Sequence, residues 1–245
     1  MTTRLSEPIL HAPPRQPTVC AICGRRLRGT YYYFANSPKC YCEDCTLGRA
    51  RCDSCAAPVG DDGWRLHDGR SLCATCHKTA IYDPAEANAL FAETVGRLAA
   101  HPGLGIRVGA AFRLIDAPAL HELARHGGIV AGPNEHTLGL YQRQGRLRVV
   151  YVLYGLPRLL FRSVVAHEYA HVWQGEHCPL LNDEVWREGF AEWVAYQHLL
   201  HLGARKAAEQ MRVAEHPYQP GLLRCLELER RVGVAGVLEA IRRQE

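Results

Sequence analysis

His167-Glu168-Tyr169-Ala170-His171 sets two histidines four residues apart, with a carboxylate beside the first. On a helix, residues i and i+4 lie one above the other, so both imidazoles can reach one metal ion from one face. Glu168 then sits next to that ion, where a carboxylate can take a proton from zinc-activated water. The pentapeptide therefore predicts a helix, a zinc site and hydrolytic chemistry. It also demands a third ligand from elsewhere in the chain.

Two residues compete for that place. His177 stands where the HExxHxxGxxH pattern puts its third histidine. That pattern needs glycine three residues after the second histidine, where the helix must end sharply. Here the position is Gln174, and glycine comes one residue late at Gly175; Met211, the only internal methionine, falls in a helical stretch. Glu188 suits the role better. Residues 172 to 187 separate it from His171, which leaves room for a helix end, a loop and a return helix. Glu192, one turn further on, faces the same way and can accept from a ligand histidine N–H. Peptide hydrolysis also needs a donor for the developing oxyanion. Tyr196, His198 and Tyr154 are candidates, and sequence does not choose among them.

The flanking pattern gives these residues a helical setting. Pro157 opens the first helix, in which Leu160, Val164, Ala170 and Trp173 complete apolar faces. A second helix is predicted from about Asp183 to Leu202, stopped by Gly203. Upstream, Asp83-Pro84-Ala85-Glu86 reads as an aspartate N-cap, proline at the first helical position and an acid at the third. A strand is expected over 105–115 and a short helix over 117–126, ended by Gly127-Gly128. A hairpin then joins Thr137–Tyr141 to Leu147–Tyr154 around Gln144-Gly145. Helices over 204–216, 219–231 and 234–243 complete the chain, with a proline-bearing break at 217–220.

The front of the chain has a different composition. Nine of eleven cysteines fall between Cys20 and Cys76. They form the pairs Cys20/Cys23, Cys42/Cys45, Cys52/Cys55 and Cys73/Cys76, with eighteen residues between the first two pairs and seventeen between the last two. That is an internal repeat of knuckle, aromatic hairpin (Tyr31–Phe34, then Trp64) and knuckle. Four thiolates suit one tetrahedral zinc, so two structural sites are expected in sequence order. Cys40 is the spare thiol, and His77 reads as a surface residue.

Composition narrows the function classes. The chain of 245 residues, 47% hydrophobic, can bury one full core and a smaller module. Residues 1–80 hold eleven Lys/Arg and seven Asp/Glu, a formal +4, which two zinc ions held by four thiolates each bring to about zero. A nucleic-acid partner is therefore not expected, despite the cluster Arg25, Arg26 and Arg28. No apolar run has membrane-spanning length, and the polar start lacks the order of a signal peptide. Clustered cysteines and that start predict a cytoplasmic protein.

Four segments carry a family resemblance: Gly69-Arg70-Ser71-Leu72-Cys73-Ala74-Thr75-Cys76, Gly155-Leu156-Pro157-Arg158-Leu159-Leu160, Ala166 through Trp173, and Glu188-Gly189-Phe190. In this order they resemble the plant LIM-domain zinc peptidases that limit organ size, the DA-one family, over residues 50 to 200. The resemblance implies a zinc endopeptidase with a gluzincin-type site, its histidines on His167 and His171 and its general base on Glu168. Two departures stand. Six residues, Thr46 to Arg51, separate the two cysteine sites where a LIM domain has two, so the module is LIM-like. The short polar stretch ahead of it offers no place for ubiquitin-interacting helices, so ubiquitin control is not expected. A compact relative of bacterial type fits this picture.

The expected architecture is α+β: a tail over 1–18, a LIM-like double zinc-ribbon module over 19–80, and a mainly helical zincin-like domain with a small strand part over 81–245. The expected function is zinc-dependent endopeptidase action on protein or peptide substrates. One zinc would lie on His167, His171 and Glu188. Two more would lie on Cys20, Cys23, Cys42 and Cys45, and on Cys52, Cys55, Cys73 and Cys76. The module would position substrate or a protein partner. The rival reading is a non-enzymatic, zinc-stapled interaction scaffold.

Overall fold

The computed structural model describes residues 2–4, 19–34, 39–100, 103–127 and 135–244. Of the expected tail over 1–18, only β1 (Thr2–Arg4) is among them. The chain forms two compact units. One is built from Arg4–Ile81 with Gly155–Arg158, the other chiefly from Tyr82–Tyr154 and Leu159–Glu245.

The cysteine-rich unit is a repeat in structure as in sequence. In the first half β2 (Tyr31–Tyr33) pairs antiparallel with β3 (Cys40–Cys42), and α1 (Glu43–Gly48) follows. In the second, β4 (Trp64–Arg65) pairs with β5 (Ser71–Leu72), and α2 (Ala74–Lys78) follows. Each half starts with the same knuckle. The amide of Gly24 donates to the Cys20 carbonyl at 3.0 Å, and the amide of Ala56 donates to the Cys52 carbonyl at 2.8 Å. The turn requires a positive φ at the residue after the second cysteine, +70° at Gly24 and +59° at Ala56. The third cysteine of each site, Cys42 or Cys73, is the N-cap of the short helix, and the fourth lies three residues on within it. Gly155–Arg158 belongs to this unit through backbone bonds. Ile81 donates to Leu156 at 2.9 Å, Gly155 to Ile81 at 2.7 Å and Arg158 to Thr79 at 2.8 Å.

The larger unit opens with α3 (Pro84–Ala100), whose start is held as expected by Asp83 accepting from the Glu86 amide at 2.8 Å. After β6 (Ala111–Ile115) comes α4 (Ala117–His126), N-capped by Asp116. β7 (Glu135–Thr137) pairs with β1, and the hairpin is β8 (Gly139–Gln144) with β9 (Leu147–Leu153). The three-stranded sheet has the order β6-β9-β8, with β6 parallel and β8 antiparallel to the central strand. Val149, Val150, Val152 and Leu153 of that central strand are buried, as a strand covered on both sides requires.

The strand expected over 105–115 is shorter than its pattern suggested. The amides of Arg107 and Val108 donate to the carboxylate of Glu176 at 2.7 and 3.3 Å, so a side chain satisfies the donors that a neighbouring strand would otherwise take.

Four helices complete the unit: α5 (Arg158–His177), α6 (Glu184–His201), α7 (Arg205–Val213) and α8 (Gln219–Arg242). Gly233, at φ +71°, interrupts α8 at the place where sequence separated two helices. α5 is the core helix. Every side chain from Phe161 to Gln174 is buried except Arg162 and His171, which are half-buried. Trp173 packs on Phe190 with ring centroids 5.2 Å apart, and Phe190 on Trp193 at 5.6 Å, so aromatic rings join α5 to α6.

Candidate metal centres

α5 delivers His167 and His171 to one face, and α6, N-capped by Asp183, delivers Glu188 to meet them. The Nε2 atoms of the two histidines are 3.3 Å apart. Glu188 Oε2 lies 3.4 Å from the first and 3.5 Å from the second. A tetrahedral zinc with N and O ligands at about 2.0–2.1 Å sets those ligands about 3.3–3.4 Å from one another. The triangle therefore has the size of one face of such a site. Burial opposes charge on both partners, yet each holds the other ionised. The carboxylates of Glu188 and Glu192 raise His167 to about 9, and the histidines hold Glu188 far below the usual carboxylate range. A cation at the centre of the triangle would do the same work as those protons.

The two imidazoles are oriented from behind. Gln174 Oε1 lies 2.8 Å from His171 Nδ1, and Gln174 Nε2 donates to the Arg187 carbonyl at 2.9 Å. An amide oxygen only accepts, so Nδ1 carries the proton and Nε2 turns its lone pair to the triangle. Glu192 Oε1 stands 3.3 Å from His167 Nδ1, at ion-pair distance though off the line of a good hydrogen bond. Glu168 is 2% exposed and lies against β8, where a Cβ built on Gly139 would fall 3.0 Å from its Oε1.

The other candidates go elsewhere. His177 stacks on Trp173 at 4.6 Å and its Nε2 pairs with the Gly105 carbonyl at 3.1 Å, so it is outside the triangle. His198 is buried in the field of Arg162 and His201, where burial pushes it down to about 4. Burial raises the Tyr196 phenol above its ordinary range, and the charges of Glu209, Arg212 and Glu229 act on it. Tyr154 packs on Tyr82, with ring centroids 5.9 Å apart. Three residues to which sequence assigned no role in the site adjoin the centre: Gln174, Gly139 and Tyr218, whose ring centroid is 6.3 Å from that of His167. Only Gln174 had a readable signal, its place one helical turn after His171.

The two cysteine groups assemble as their spacing predicted, Cys20 with Cys23, Cys42 and Cys45, and Cys52 with Cys55, Cys73 and Cys76. The sulfurs of Cys23 and Cys42 are 3.7 Å apart and those of Cys55 and Cys73 3.8 Å, against about 3.8 Å for two thiolates on tetrahedral zinc. Cys40 is buried outside both groups. In the first group Arg25 Nε donates to Cys23 Sγ at 3.4 Å, which holds that thiol down at about 6, and the same guanidinium pairs with Asp44. His77 is half-buried and stacks on Trp64, ring centroids 4.6 Å apart.

Residues 130–220, which contain His167, His171 and Glu188, match the sequence model of the DA1-like family, described as Protein DA1. The chain is similar to three proteins of Arabidopsis thaliana. It is 30% identical over 190 residues to Protein DA1-related 1, covering 62% of this chain and 34% of that one. To Protein DA1 it is 27% identical over 159 residues, 50% of this chain and 29% of that one. To Protein DA1-related 2 it is 28% identical over 187 residues, 61% and 34% respectively. The chain thus spans about a third of the length of these relatives. No solved structure matches it significantly. Among the described residues, no helix is long and apolar enough to cross a membrane.

Proposed function

We propose that this chain is a zinc-dependent endopeptidase, with the metal on His167, His171 and Glu188 and Glu168 as general base. The observation that carries the proposal is the closed triangle of two Nε2 atoms and one carboxylate oxygen, 3.3–3.5 Å on each side, beside a buried glutamate. Zinc held there would supply an acidified water and a charge that polarises the peptide carbonyl. Glu168 would accept the proton of the attacking water and return it to the leaving amine. Gln174 would hold the His171 imidazole toward the metal by its hydrogen bond, and the Glu192 carboxylate, 3.3 Å from His167 Nδ1, would favour the matching orientation of His167. The similarity to DA1 proteins supports a shared site; what those proteins act on does not extend to this chain by similarity alone.

The cysteine-rich unit would be a LIM-like module with two structural zinc ions that positions a protein substrate or partner. Eleven free thiols, eight of them in four-sulfur groups, suit a reducing, cytoplasmic setting. The test is cleavage of fluorescein-labelled β-casein by the full chain before and after metal removal. Cleavage should vanish with a chelator and return with zinc. Cleavage that survives complete removal of metal contradicts the proposal.

A further inference from the structure

The residue after the ligand Glu188 is a glycine for a spatial reason. A Cβ built on Gly189 would lie 2.4 Å from the carbonyl carbon of Gly221, and one on Gly221 would lie 2.4 Å from the Val185 carbonyl oxygen. At this crossing α6 and α8 touch backbone to backbone, which only glycine on both helices permits. Gly221 is in the first turn of α8, so the crossing carries the residues just ahead of it to the metal centre. Tyr218, the N-cap of α8, has its ring centroid 6.3 Å from that of His167, with the planes inclined at 37°. His216 meets the same tyrosine edge-on at 6.3 Å and 81°.

Attack on a peptide carbonyl puts negative charge on its oxygen, and a donor fixed in place before the reaction is worth more than one that must move there. Of the side chains that sequence offered for this role, Tyr154 packs on Tyr82 and His198 lies in the field of Arg162 and His201. Tyr218 is half-buried beside the ligand histidine and carries one phenolic donor. We propose that Tyr218 is a catalytic residue whose phenol hydrogen-bonds the scissile carbonyl oxygen as it becomes tetrahedral, with His216 setting the angle of its ring. The phenol keeps its proton throughout, so Glu168 alone carries out proton transfer. This assignment rests on the peptidase function proposed above.

The test uses the zinc-loaded full chain and acetohydroxamate, a metal-binding probe whose anionic oxygen imitates the one formed in the reaction. Calorimetry should show Tyr218→Phe binding it about tenfold more weakly than the native chain, the scale of one hydrogen bond to a charged group. Zinc content and thermal midpoint should be unchanged. On labelled β-casein the same variant should lose about 100-fold in kcat with little change in KM. Equal hydroxamate affinity in two chains that both hold zinc overturns the role of Tyr218 and leaves the peptidase function standing. A native chain that takes up no metal at His167, His171 and Glu188 overturns both.

Discussion

Gln174 bridges His171 and the backbone of Arg187: its Oε1 lies 2.8 Å from His171 Nδ1, and its Nε2 donates to the Arg187 carbonyl at 2.9 Å. One amide thus orients one histidine of the triangle and anchors the turn of α6 that carries its carboxylate, Glu188. Gln174→Ala is expected to weaken zinc binding at this centre by about 10- to 100-fold, with the fold intact. Competition against a chromophoric chelator measures it. Unchanged affinity would remove Gln174 from the account.

Gly139 is expected to be intolerant of even one methyl group. A Cβ there would fall 2.5 Å from Val164 Cγ1 and 2.9 Å from Glu168 Cγ, both on the buried face of α5. Gly139→Ala should cost about 1–3 kcal/mol in urea unfolding. It should also depress cleavage while zinc stays bound, because it displaces the base rather than a ligand.

Much of this centre was legible in sequence because its parts are local. The i, i+4 histidines lie on one helix, and a capped return helix brings back Glu188 with Glu192 one turn beyond, 3.3 Å from His167. The cysteine groups were legible from pair spacing alone. What escaped depends on contacts between distant segments. Tyr218 reaches His167 only because Gly189 and Gly221 let two helices touch. Gly155–Arg158 joins the cysteine-rich unit through backbone bonds to residues 79–81, which no side-chain pattern records. The first part of the strand expected over 105–115 is replaced by a link to Glu176, a carboxylate almost seventy residues away.

That carboxylate gives a prediction in pH. Burial raises the pKa of Glu176, but the Arg107 and Val108 amides and the Arg148 guanidinium at 2.9 Å outweigh it and hold the group at about 2. An unfolded glutamate titrates near 4.3. The folded value is the lower one, so the link stabilises the fold above about pH 4.3, and its contribution is lost as pH falls toward 2. Glu176→Gln should remove roughly 2 kcal/mol at neutral pH and flatten the acid side of the stability curve. Urea titrations of both chains between pH 7 and pH 3 give the comparison. A constant difference across that range would contradict the assignment.

The two cysteine centres should differ in lability. Cys23 is exposed in the first, whereas Cys52 is 0% exposed in the second. A chelator is expected to strip the first centre sooner, and Cys23→Ser should hold one zinc fewer per chain while the other two remain. The apolar core around the first centre consists mainly of Cys20, Phe34, Tyr41, Cys45, Ala56 and Ala57. A core that small depends on metal, so removing both structural ions should unfold residues 19–81. Metal analysis with circular dichroism tests both statements.

Glu168→Gln tests the central claim most directly. Zinc content and cleavage of labelled β-casein are measured on the native and variant chains side by side. The account predicts three zinc ions per chain in both, with cleavage in the native protein and at least about a 1000-fold loss in the variant. A variant that keeps its zinc and cleaves at the native rate would contradict it.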